Sequence, residues 1–199
     1  MDAKSLQYAG FWLRFGAMLV DMLVLLPLAY PLVWCNKHYR LSAVYTLVVW
    51  VLFDLFYEVY LVRRFGGTPG KRFVGIQIRK LNGEPVGYRE AFLRSFPNLL
   101  IYALSAGILL VPLVHMTDKE YFSFPLAERK RHVVQLAPWY YKPVDVAQSI
   151  WAWSELLVLL TNKKRRAVHD FIAGTIVVKD PANVPLAEPP VSPAAATAD

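Results

Sequence analysis

Phe11-Trp12-Leu13-Arg14-Phe15-Gly16-Ala17-Met18-Leu19-Val20-Asp21-Met22-Leu23-Val24-Leu25-Leu26-Pro27-Leu28-Ala29-Tyr30-Pro31-Leu32-Val33 is apolar throughout except for Arg14 and Asp21. A bilayer core about 30 Å thick is crossed by roughly 20 helical residues, so this run reads as a transmembrane helix. It does not read as a secretory signal. Lys4 is the one basic side chain before it, charges interrupt it, and no small-x-small cleavage site follows. Bulky Trp34 sits where a lipidated Cys35 requires a small residue. Three further runs extend the pattern. Leu41–Val62 is charged only at Asp54 and Glu58, Phe96–Val114 carries no charge, and Val146–Thr161 carries only Glu155. The last is short for a span and reaches full length by taking in Trp139–Tyr141 or by thinning the bilayer.

Composition agrees. The 199 residues are 56% hydrophobic and 19% charged, with mean hydropathy +0.33, against about 45–50% and about 25% for a soluble domain. The net charge of +7 therefore does not describe a nucleic-acid binder, and most of the chain has too much apolar surface to be disordered. One cysteine excludes an internal disulfide framework and a Cys-cluster metal site. With four spans and the N-terminus inside, the inner side collects Lys4, Arg14, the eight basic residues from Arg63 to Arg94, Lys163–Arg166 and Lys179. That is fifteen of the 22 basic residues, as positive charge on the cytoplasmic side requires. A three-span chain places Lys163–Arg166 outside. The expected fold class is an all-α polytopic membrane protein. It has four transmembrane helices, both ends inside, and a small cytoplasmic β-ribbon.

The ribbon is read from two stretches. Val74, Ile76 and Ile78 alternate with Gly75, Gln77 and Arg79, and Asn82-Gly83 marks a turn. Thr175–Lys179 supplies the second strand, which ends before Asp180-Pro181 because proline has no N–H for the ladder. Residues 1–180 form the membrane domain. Residues 181–199, rich in Pro and Ala, read as a disordered tail. The outer loop His115–Asp145 is aromatic-rich and has no assigned role beyond an interface belt near Trp139.

The chemistry lies in the charges inside the apolar runs. Gly10, Arg14, Ala17 and Asp21 share one helical face, as do Asp54 and Glu58. Asn98, Tyr102 and Ser105 form a polar stripe in the third run, and Glu155 lies in the fourth. A charge at the bilayer centre costs about 2.5–3.5 kcal/mol even on lenient scales, so these groups are expected to face one another. The expected pairs are Arg14 with Glu58, and Asp21 with Asp54. Asp21, Asp54, Glu58 and Glu155 are the candidate cation- and proton-binding groups, with Arg14 as their charge partner. Gly70-Lys71 fails as a phosphate loop, since Phe65 and Arg72 occupy the positions of its first Gly and its Ser/Thr. Lys71 and Arg72 are instead expected at lipid headgroups. His38, His115 and His132 fall outside in this topology, away from His169. No metal site, cofactor or nucleophile–base pair is read, and the chain is not expected to be an enzyme.

Three ordered motifs resemble the RDD family of bacterial membrane proteins. They are Ala9–Ala17 with Asp21, Gly67-Thr68-Pro69-Gly70-Lys71-Arg72 with Gly75–Ile78, and Arg166-Ala167-Val168-His169-Asp170 with Ala173–Val178. The resemblance assigns Arg14 and Asp21 to the family's arginine and first aspartate. Asp170 is the choice for the second, with Asp54 as rival. It implies a multi-pass protein of the bacterial inner (plasma) membrane and a transport role, with sodium–proton exchange associated with some members.

Two functional readings stand. One is exchange of a small cation, read as monovalent, for protons by a homodimer using the buried carboxylates. The other is a non-transporting scaffold or lipid- and partner-binding module, whose buried charges serve assembly.

Overall fold

The computed structural model describes residues 7–180; the tail expected to be disordered lies outside the described residues. The helices are α1 (Phe11–His38), α2 (Ser42–Asp54), α3 (Leu61–Phe65), α4 (Pro69–Phe73), α5 (Tyr88–His115), α6 (Asp118–Ser123), α7 (Leu126–Gln135), α8 (Tyr141–Thr161) and α9 (Val168–Ala173). The strands are β1 (Ile76–Lys80) and β2 (Thr175–Lys179). Between α2 and α3 the helix continues through a π-helical segment, Leu55–Tyr60.

Three helical stretches, Phe11–His38, Ser42–Phe73 and Tyr88–His115, are long and apolar enough to cross a membrane. They contain the first three apolar runs. The prolines inside α1 and α5 do not break them, because a helix packed among others can satisfy the freed carbonyls locally. The fourth run also forms a helix. At 21 residues α8 has the length, and it starts at Tyr141, taking in one end of the aromatic group. Gln148, Glu155 and its serines dilute its hydropathy, so it falls outside that group of three.

At one end of the bundle β1 pairs antiparallel with β2, Ile78 opposite Val177. The pairing expected from the alternation is present, and β2 ends at Lys179 as expected. The sequence reading missed a third segment. The Ala9 N–H donates to Val177 O at 2.9 Å and the Lys179 N–H to Gln7 O at 2.9 Å, so residues 7–9 cover the other edge of β2. At Asn82-Gly83 the chain turns with Gly83 at φ 85°, and the Lys80 N–H donates to Glu84 O at 2.9 Å.

The sheet is a core element. Ile76 and Ile78 pack with Ala17 of α1, Val62 of α3, Ala91 of α5 and Val177 of β2 in one buried cluster. The ends of three helices are thereby tied to one ribbon. At the opposite end, residues left unassigned by the sequence form α6 and α7. Tyr121 and Val133 pack on Leu113 and Met116. The Arg129 guanidinium donates to Phe124 O and Lys37 O, each at 3.0 Å, and lies over the Tyr121 and Phe122 rings.

Ile78→Ala is expected to destabilise the protein by about 2–5 kcal/mol through the cavity it leaves. Thermal unfolding of the detergent-solubilised chain should show a lowered midpoint. Phe73→Ala, at a site 80% exposed, should not show it.

Candidate functional site

The charges inside the helices converge at the sheet end of the bundle, though not in the expected pairs. Asp170 is the centre. The sequence Arg166-Ala167-Val168-His169-Asp170 turns into α9, and the Asp170 carboxylate reaches back to accept the Ala167 N–H at 3.1 Å, as an acidic side chain in a first helical turn does. Gly174, at φ 65°, reverses the chain into β2 and brings the Thr175 hydroxyl to 3.2 Å from Asp170 Oδ1. Arg14 of α1 donates to Asp170 Oδ2 at 2.8 Å, and Arg94 of α5 donates to Oδ1. Arg14 also donates to Arg165 O at 2.6 Å. The buried Arg166 braces the turn, donating to Thr175 O at 3.0 Å and Asp170 O at 2.8 Å, and stacks on Phe171.

Asp170 has no exposed surface. Burial alone raises a carboxyl pKa, but Arg94 and Arg14 more than reverse that and hold Asp170 well below the usual carboxylate range. Beside it, burial and then Arg94 push the His169 imidazole below its usual value, so it is neutral at pH 7. The His169 main-chain N–H donates to Glu155 Oε1 at 2.9 Å. Its Nδ1 lies 2.6 Å from Glu155 Oε2, although Oε2 has no aligned hydrogen bond; the distance marks a close polar contact that is out of line.

The expected pairing of Arg14 with Glu58 is corrected. Arg14 is drawn to Asp170, which α9 and β2 carry beneath α1, and Glu58 instead lies 3.4 Å from Lys71 Nζ. Asp21 and Asp54, expected to face each other, line one cavity, but the hydrogen bonds of Asp21 go elsewhere. Three neutral donors occupy Asp21: Tyr57 Oη at 2.5 Å, Thr68 Oγ1 at 2.6 Å and the Gly70 N–H at 2.7 Å. These contacts explain the Thr68-Pro69-Gly70-Lys71 motif. Thr68 caps α4, accepting from the Lys71 N–H, and its own hydroxyl proton goes to Asp21. Pro69 occupies the first helical position, where it loses no hydrogen bond. Gly70 is required by close approach, since a Cβ there would lie 2.2 Å from Ala17 O. Lys71 and Arg72, expected at headgroups, are both engaged. Lys71 turns inward to Glu58, and Arg72 donates to Asp180 at 2.6 Å while its side chain stays 42% exposed.

Asp54 is different. Its Oδ2 is buried without a hydrogen-bond partner, and no ion pair forms at it among the described residues. It lines three cavities. One of about 420 Å³ is shared with Glu58, Lys71, Arg94, Asn98 and Glu155. A second of about 300 Å³ reaches Asp21 and Trp50. A third of about 340 Å³ lies against Trp50, Asn98 and Tyr102. Asp54 ends α2 and the π-helical segment follows it; such wide turns recur at functional sites. Among the described residues, no three His, Cys, Asp or Glu side chains are grouped to hold a metal ion.

Sequence reasoning missed Arg94, and it carried Arg166 and Thr175 only as letters of the resembling motif, with no role assigned. A signal for Arg94 was present. The stripe Asn98–Tyr102–Ser105 extends back by four residues to Arg94, placing it on the same helix face.

A model of the RDD family matches residues 8–174. A Bacillus subtilis (strain 168) protein, YckC, described as uncharacterized, is 35% identical over 175 residues, covering 85% of this chain and 83% of that protein. No solved structure matches the chain. The chain belongs to the RDD family, and with its three apolar helices it is a membrane protein.

Asp170→Asn leaves two buried arginines without their anion and is expected to cost about 3–5 kcal/mol. Because the folded carboxyl is depressed, this contribution is present above the unfolded value near 3.9 and is lost as pH falls below it. The unfolding difference between wild type and variant should therefore be constant from about pH 5 to 8 and shrink below about pH 4. Gly70→Ala should cost at least about 1–3 kcal/mol by forcing α4 away from α1. Gly107→Ala, where a Cβ meets nothing within 4 Å, serves as the control, and both are read by thermal unfolding.

Proposed function

We propose that this RDD-family protein crosses the bacterial inner membrane four times, with both ends in the cytoplasm, and exchanges a small cation for protons at Asp54. The observation that carries the reading is the contrast among the acids. Asp21, Glu58, Glu155 and Asp170 each accept a hydrogen bond on at least one oxygen, whereas among the described residues no side-chain hydrogen bond or ion pair forms at Asp54, whose Oδ2 is buried and which opens onto three cavities. An unpaired buried carboxylate favours a proton or a bound cation over the bare charge, which is the competition an exchanger needs. Glu58 and Glu155 line the cavity of about 420 Å³ and provide its route toward the sheet end. Asp21 holds α4 to α1 and Arg14 holds Asp170, so both act as supports in this reading.

Two observations support the topology. The inner side of a four-span chain gathers fifteen of 22 basic residues. On α8, Ile150, Trp153, Leu157 and Leu160 are 58–65% exposed along one face, a stripe suited to lipid, while Trp151 Nε1 on another face donates to Asn98 Oδ1 at 2.7 Å. A scaffold reading is favoured by one observation, the exhaustive bonding of Asp170, which serves assembly with or without transport.

The test is an imposed proton gradient in inverted vesicles. Addition of sodium, potassium, lithium or a small organic cation should collapse it, and Asp54→Asn should abolish the response at unchanged membrane abundance. Well-folded protein that gives no collapse with any of these cations rejects exchange and leaves the scaffold reading.

A further inference from the structure

The cavity beside Asp54 has walls unlike those of a bare-metal-ion site. It is lined by Trp50, Asp54, Asn98, Leu99 and Tyr102 and holds about 340 Å³, within the range of small organic ligands, about 300–1,000 Å³. One carboxylate oxygen is buried and unpartnered. Oxygen ligands for a dehydrated metal ion are scarce. Asn98 Oδ1 already accepts from Trp151, Glu58 faces Lys71, and no grouping of three His, Cys, Asp or Glu side chains occurs among the described residues. Two aromatic residues, Trp50 and Tyr102, share the lining with the carboxylate. Trp50 also borders the neighbouring cavity together with Phe53, and the two rings pack edge to face at 5.9 Å.

We infer that the Asp54 site takes a small organic monocation, an alkyl- or quaternary ammonium, through the carboxylate and the aromatic walls formed by Trp50 and Tyr102. The charge requirement comes from Asp54. The preference for an organic ion comes from the rings, whose faces attract a cation too weakly hydrated to prefer water. The inference rests on the proposed role of Asp54 and names the chemical class of its cargo. Protons compete because they neutralise the same oxygen.

The experiment is equilibrium binding of radiolabelled tetramethylammonium to the purified full chain in lipid nanodiscs, with no gradient imposed. Saturable binding is expected, displaced by ethylammonium at a concentration at least about tenfold lower than by sodium or potassium. Asp54→Asn should eliminate it. Trp50→Leu should weaken it about tenfold in protein that keeps the wild-type size-exclusion profile. Tyr102→Leu is the second aromatic variant, used in the same way if Trp50→Leu does not fold. Absence of saturable binding, displacement by sodium as effective as by ethylammonium, or indifference to loss of the aromatic ring in a folded variant overturns the inference. Binding without vesicle flux upholds the ligand class and rejects exchange. Sodium-driven flux without ammonium binding upholds exchange and rejects the ligand class.

Discussion

A carboxylate with no access to water remains charged only where donors and cations replace the water it has lost. Asp170 has both: two arginines, a main-chain N–H and a threonine hydroxyl. The donors come from α1, α5, the start of α9 and β2, so one side chain joins the first and third membrane helices to the α9–β2 segment. The rest of the sheet end follows from this placement. With β2 held under the helices, β1 has a partner on one edge and residues 7–9 have the other, and the buried isoleucines of β1 complete the core between helix ends. Taking three charges from water is costly, and an apolar substitute is often equally stable. What the ionic cluster adds is direction, because arginines on two helices can satisfy the same carboxylate in few arrangements.

Asp21 performs a related task with uncharged partners. Three donors from Tyr57, Thr68 and Gly70 fix its position, and the absence of a side chain at Gly70 lets α4 lie against α1. Lys71, in the next position, is free to turn toward Glu58. Position by position the motif supplies a cap, a first-turn residue, a close approach and a counter-charge. A cargo ion that displaced the donors of Asp170 or of Asp21 would cost a contact between helices.

The apolar runs, the strand alternation and the termination of β2 were legible because each depends on neighbours within a few residues. Helical spacing also placed Arg14 with Asp21 on one face of α1. It failed at the next step, since facing inward does not identify the partner. Arg14 and Asp170 are separated by 156 positions, and no periodicity connects them. The resemblance to known motifs nominated Asp170, and only the fold brings it to Arg14. The π-helical segment after Asp54 was invisible for another reason. Leu55-Phe56-Tyr57-Glu58-Val59-Tyr60 has no proline or glycine to mark a wide turn. Within it Tyr57 reaches Asp21 and Glu58 reaches Lys71.

The remaining asymmetry is the argument for function. This chain has ample means of satisfying a buried acid: tyrosine and threonine hydroxyls, main-chain N–H groups, lysine, arginine and a histidine contact all serve one carboxylate or another. Beside Asp54 lie Trp50, Asn98 and Tyr102, and the amide oxygen of Asn98 is committed to Trp151. An apolar residue at position 54 would avoid the cost of an unmatched buried oxygen. A purely architectural protein gains nothing from the acid there. An acid at the junction of three cavities, with no hydrogen bond or ion pair of its own among the described residues, is suited to a mobile partner that comes and goes, and a proton and a monocation are the two partners that meet its charge.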